Sequence, residues 1–83
     1  MDKNVDAEKR INELNLCLED MARRNLSAER KIEIANNTRK ELDFLSTKLT
    51  HSELMDPILK DTLSNSYRLC YFMATEKEPA ERS

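Results

Sequence analysis

Residues 56–74 read DPILKDTLSNSYRLCYFMA, and the reading of this stretch decides the fold. Asp-Pro is a strong helix start: the Asp56 carboxylate can cap free N–H groups, and Pro57 fits the first helical position, where an N–H has no intrahelical partner. No helix breaker follows until Pro79. On a helical wheel Ile58, Leu59, Leu63, Leu69, Cys70, Met73 and Ala74 fall within about half of the circumference, with Tyr67 at its edge. Lys60, Asp61, Ser64, Asn65 and Arg68 fill the other side. The last turn, Leu69-Cys70-Tyr71-Phe72-Met73, is apolar all round. One neighbouring helix cannot cover such an end, so either two faces of this chain wrap it or a partner does.

Upstream, two segments carry matching seams. From Val5 to Arg24, Ala7, Ile11, Leu14, Leu18 and Met21 recur at alternating steps of 4 and 3, a heptad pattern. Leu16 and Val5 lie off it, and single exposed apolar residues are ordinary. Asn25-Leu26-Ser27 is the first break, with Asn suited to a helix end and Ser27 to an N-cap. A connection this short makes the next helix, Ala28–Leu49, fold back antiparallel. Its seam is Ala35, Thr38, Leu42, Leu45 and Leu49, widened by Ile34, and the two seams are expected to face each other. Thr50 to Met55 reads as a second break, with Ser52 as a cap, Glu53 behind it, and Leu54 and Met55 placed to plug the end of the hairpin.

The expected fold is therefore all-α: an antiparallel helical hairpin with a third helix, Pro57–Thr75, packed on it as a three-helix bundle. Residues 1–75 form one domain, with Met1–Asn4 frayed, and 76–83 (EKEPAERS) read as a disordered tail. The absence of glycine supports the helical reading.

Composition limits function. The charges nearly cancel, at −2 overall, which argues against a grip on nucleic acid built on bulk positive charge. Arg23, Arg24, Arg30 and Lys31 do cluster at the hairpin bend, but helix-end charge accounts for half of them. Cys17 and Cys70 lie far apart without a secretory signal before them, so a cytoplasmic protein with reduced thiols is expected. No stretch is apolar enough for a membrane span.

Catalysis needs convergent polar groups held in a pocket. His51 is the sole histidine and sits in a loop, and no glycine is present to cradle a phosphate. Cys17 beside an apolar seam reads as a packed thiol rather than a nucleophile. Cys17, Cys70 and His51 lack the paired spacing of a zinc site. The chain is thus expected to be no enzyme, with no cofactor, metal or small-molecule substrate.

What remains is surface. Phe44 points about 140° from its seam, to be covered either by the third helix or by a partner. With Leu69, Tyr71, Phe72 and Met73 it makes up the apolar excess, and these five residues are the candidate partner-binding set.

A chain of this size, with a charged helical hairpin and an aromatic-rich last helix, resembles the small needle co-chaperones of type III secretion systems. These are the E subunits (YscE-like, SsaE-like), with the chlamydial branch as a candidate home. The similarity spans Ile11 to Met73 and is densest at Arg39-Lys40-Glu41-Leu42-Asp43, Lys48-Leu49 and Leu69-Cys70-Tyr71-Phe72-Met73. It implies a cytoplasmic, non-enzymatic protein that stabilises a tetratricopeptide-like chaperone. Together the pair would keep a self-polymerising needle subunit monomeric. The third helix is longer and more cleanly capped than a two-helix hairpin requires, which leaves the docking face open. Two alternatives stand beside this reading: a self-associating homodimeric bundle with a structural or regulatory role, and a small nucleic-acid-associated regulator.

Overall fold

A computed structural model describes residues 5–75, and the side chains of 6–75. The expectations for Met1–Asn4 and for the tail 76–83 fall outside the described residues. The chain is all-α: α1 (Val5–Arg23), α2 (Ala28–Ser46), the short α3 (His51–Met55) and α4 (Pro57–Thr75), with no strand among the described residues.

The bend between α1 and α2 forms as its residues dictate. Arg24 N–H bonds the Met21 carbonyl at 3.2 Å, closing α1. Ser27 then caps α2 from an extended conformation, its Oγ accepting from Arg30 N–H at 3.1 Å. The other end departs from expectation. The α-helix stops at Ser46 instead of running to Leu49, and the chain continues in tighter turns, Thr47 N–H to Phe44 O, Lys48 N–H to Leu45 O and Leu49 N–H to Ser46 O. Such i→i−3 bonds use orphan carbonyls at a helix end and keep the seam advancing. Leu49 thereby stays buried although it has left the helix.

The second break also contains more structure than its sequence suggests. Residues 51–55 form a helical turn whose cap is Thr50, not Ser52. Thr50 Oγ1 accepts from Glu53 N–H at 3.2 Å, and Glu53 Oε1 accepts from Thr50 N–H at 2.8 Å, a complete capping box. Asp56 ends α3 and starts α4: its N–H bonds Glu53 O at 3.1 Å, and its Oδ1 accepts from Ile58 N–H at 3.1 Å. The following proline holds Asp56 extended, at ψ 119, so the chain must turn here. Leu54 and Met55 are exposed and do not plug the hairpin.

The main packing surprise is the role of α4. Both α1 and α2 pack more extensively on α4 than on each other, so the hairpin seams serve the third helix first. The core joins Ala7, Ile11, Leu14 and Leu18 of α1 to Ala35 and Leu42 of α2, and to Leu59, Cys70 and Met73 of α4, with Leu49 at the end. Each large side chain taken out of water contributes about 1.5–3 kcal/mol. Two faces of the chain thus wrap the final turn, and α1 runs parallel to α4 with α2 antiparallel to both.

A polar layer interrupts the α1–α4 seam. Asn65 Nδ2 donates to Asn15 Oδ1 at 3.0 Å and to Glu19 Oε2 at 3.1 Å. Buried Ser66 has its Oγ 2.9 Å from Asn15 Oδ1 and 2.8 Å from Thr62 O. Its single proton serves one of them at a time. Arg68 Nη2 completes Asn65 by donating to its Oδ1 at 2.6 Å. A satisfied polar layer of this kind favours one alignment of two helices, because a slip leaves its members unpaired.

Leu42→Ala, at a fully buried position, is expected to cost about 2–5 kcal/mol in thermal or urea unfolding. Asn15→Leu is expected to leave one Asn65 N–H without its acceptor, Ser66 keeping Thr62 O, and to lower stability by about 1 kcal/mol, despite replacing a polar residue with an apolar one.

Candidate functional site

The structure scatters the five sequence-selected residues. Met73 is completely buried between helices, so its side chain offers nothing to a partner. Leu69 and Phe72 are half-buried against the same core. Only Phe44 and Tyr71 stand out into solvent, at 59% and 72% exposure, and they lie on different faces of the bundle. Phe44 is not covered by α4. It sits over the open side of the hairpin beside Asp6, Ala7 and Leu45, with Lys48 Nζ 4.9 Å from its ring centroid. That ammonium shields one ring face through a cation–π contact.

Tyr71 stands at the rim of a shallow groove of about 270 Å³ between α2 and α4, lined by small residues Ala35, Ala74 and Cys70. Its neighbour Tyr67 is drawn inward, its hydroxyl donating to Asp43 Oδ1 at 2.6 Å. Burial, then the nearby Asp43 carboxylate, raises the Tyr67 phenol above its usual range. Burial likewise pushes the Cys70 thiol up to about 11, against a small opposing pull from Arg39. Cys70 is therefore an inert core thiol, whereas Cys17, expected to be packed, is exposed.

A more concentrated apolar surface lies where wheel geometry did not place it. Ile58 is 77% exposed, although its angle put it inside the α4 arc, and Met55 and Leu54 beside it are 59% and 38% exposed. The pairing of Asn15 with Asn65 and Ser66 sets Ile58 level with the first turn of α1, where that helix is only beginning. Leu69, at nearly the same angle but three turns higher, has α1 alongside. Residues 54–58 thus form an apolar corner held by the Thr50–Glu53 box and the Asp56–Pro57 turn. The sequence signal for it was the Leu-Met-Asp-Pro-Ile run itself.

Among the described residues three arginines are held in ion pairs. Arg10 grips Glu41 across the hairpin with two bonds, Nε to Oε2 at 2.6 Å and Nη2 to Oε1 at 3.1 Å, and also reaches Glu13. The bond to Arg10 holds the Glu41 carboxyl below its usual range, and Glu41 in turn raises the guanidinium's pKa. Being exposed, the pair is worth no more than about 1 kcal/mol, yet it ties α1 to α2 at one register. At the bend Arg24 is paired with Asp20 and Arg30 with Glu33, which blunts the basic cluster. Among the described residues no group of three His, Cys, Asp or Glu side chains could hold a metal, and no helix is long and apolar enough to cross a membrane.

Thiol chemistry checks this arrangement. A thiol-reactive dye is expected to label one cysteine quickly in the native chain and the second only after denaturation. The folded pKa of Cys70 lies above its ordinary 9.0, so the unfolded state loses that proton first. Stability is therefore full below about pH 9 and falls as pH rises towards about 11, which alkaline unfolding curves will show.

No protein-family model matches the chain, and neither a curated protein nor a solved structure matches it.

Proposed function

We propose that the chain is a small helical adaptor that binds another protein through the end of the bundle opposite the hairpin bend. In keeping with the resemblance of its sequence, we assign it the role of a needle-subunit co-chaperone in type III secretion. Its direct partner would be a tetratricopeptide-like chaperone, and the needle subunit would be held mainly by that partner.

The observation behind this reading is the apolar corner of Leu54, Met55 and Ile58. Three neighbouring side chains of this kind are more than a small helical chain needs to leave in water, and the corner carrying them is fixed by capping hydrogen bonds. A preorganised convex corner loses little freedom on docking. Helical repeats present the concave surface that complements it. Burial of these side chains would contribute about 1.5–3 kcal/mol each before the cost of association. Tyr71, at the other end of α4, would make a separate and smaller contact.

Co-expression with neighbouring reading frames, followed by mass spectrometry of what co-purifies in fixed stoichiometry, tests the reading. Ile58→Asp puts a carboxylate in the first turn of α4, where the helix dipole tolerates it. Its circular dichroism and melting are expected to match the wild type within about 0.5 kcal/mol, while partner capture is lost. Undiminished capture by Ile58→Asp would refute the assigned surface, and the absence of any stoichiometric protein would refute the adaptor.

A further inference from the structure

Halfway along α1, Leu16 points away from the bundle with 64% of its surface exposed. The positions three and four residues away, which surround it on the helix, are Asn12, Glu13, Glu19 and Asp20. The leucine therefore stands in a collar of three carboxylates. About 100° around the same helix a groove between α1 and α2 begins at Cys17 and runs from the height of Leu16 towards the bend. Cys17, Met21, Leu26 and Ile34 line it, Arg24 and Arg30 form its rim, and its volume is about 350 Å³. An apolar cavity of about 150 Å³ already holds a benzene-sized group, so the groove has room for one leucine side chain.

Knob and groove are thus adjacent on one face and opposite in charge. We infer that this face is a two-fold interface between copies of the chain, Leu16 of each entering the other's Cys17–Met21–Leu26–Ile34 groove. A two-fold axis beside Leu16 makes both insertions equivalent and closes the assembly at a dimer. The collar of one copy meets the arginine rim of the other. Within one chain the local pairs Arg24–Asp20 and Arg30–Glu33 are exposed and weak, so they exchange readily for pairs across the axis. Within the chain Glu13 of the collar also meets Arg10, and Glu19 accepts from Asn65. Asp20 and Glu13, both exposed, are therefore the collar members freest to turn to the other copy, and the apolar corner at 54–58 takes no part. The dimer leaves the opposite end of the bundle open and does not depend on the adaptor reading.

The same geometry supplies its own probe. Each Cys17 lines the groove that receives the other copy's Leu16, so the two Cys17 thiols face one another across the axis, while Cys70 is buried and silent. Sedimentation of the full chain is expected to show a monomer–dimer equilibrium that weakens with salt, and bismaleimidoethane is expected to link Cys17 to Cys17. Leu16→Glu should raise the dimer Kd by more than about tenfold and abolish the link without loss of helicity. Arg30→Glu, also on an exposed position, should weaken the dimer and flatten its salt dependence. A monomer up to roughly millimolar concentration, a dimer indifferent to Leu16→Glu, or a dimer in which Cys17 is not linked would each overturn the interface.

Discussion

Everything in this small bundle depends on removing one helix from water. α4 carries Leu59, Ser66, Cys70 and Met73 along a fully buried line, and no single helix can cover a strip that widens to Leu69, Phe72 and Ala74 near its end. Two helices are needed, and the α1–α2 hairpin supplies them. The hairpin therefore admits α4 between its arms, and a surface ion pair, Arg10 with Glu41, adds a tie between α1 and α2 beside their shared core. The Asn15–Asn65–Ser66 layer follows from the same constraint. With α1 laid parallel to α4, apolar contacts alone would permit sliding, and a hydrogen-bonded layer gives one register an advantage.

A second constraint is the lack of glycine. The caps Ser27, Thr50 and Asp56 all sit at ordinary negative φ, and proline sets the turn into α4. Corners of this type are held by hydrogen bonds that the capping side chains and the turn backbone make with one another. That bonding matters for the proposed function. It keeps Leu54, Met55 and Ile58 in water instead of letting them fold back on the core, and it presents them as a fixed shape.

The two ends of the bundle differ in character. The corner at 54–58 is apolar, while the bend carries arginines already engaged with neighbouring carboxylates. Pairing of that kind lowers the attraction for a phosphate backbone, which must displace the carboxylates first. The pairing at this end therefore weighs against a grip on a phosphate backbone.

The helices were legible in the chain because helix formation is local. Caps at Ser27 and Asp56, unbroken periodicity and the absence of glycine state where α1, α2 and α4 begin, and α4 spans Pro57–Thr75 as read, while α2 ends at Ser46, three residues before the expected Leu49. Angle around a helix was legible for the same reason, so Ile11, Leu14, Leu18, Leu42 and Leu59 are core as their spacing implies. Height along a neighbour was not, because it depends on how far that neighbour extends. Ile58 and Leu69 share an angle, yet one is in water and the other against α1. Met73 passed for surface because the wheel cannot tell that two helices, not one, flank it. The extra turn at 51–55 was hidden because five residues are too few to display a period. Local chemistry settled what each segment becomes, and only tertiary packing, through the lengths and levels of adjoining helices, decided which apolar side chains were left for a partner.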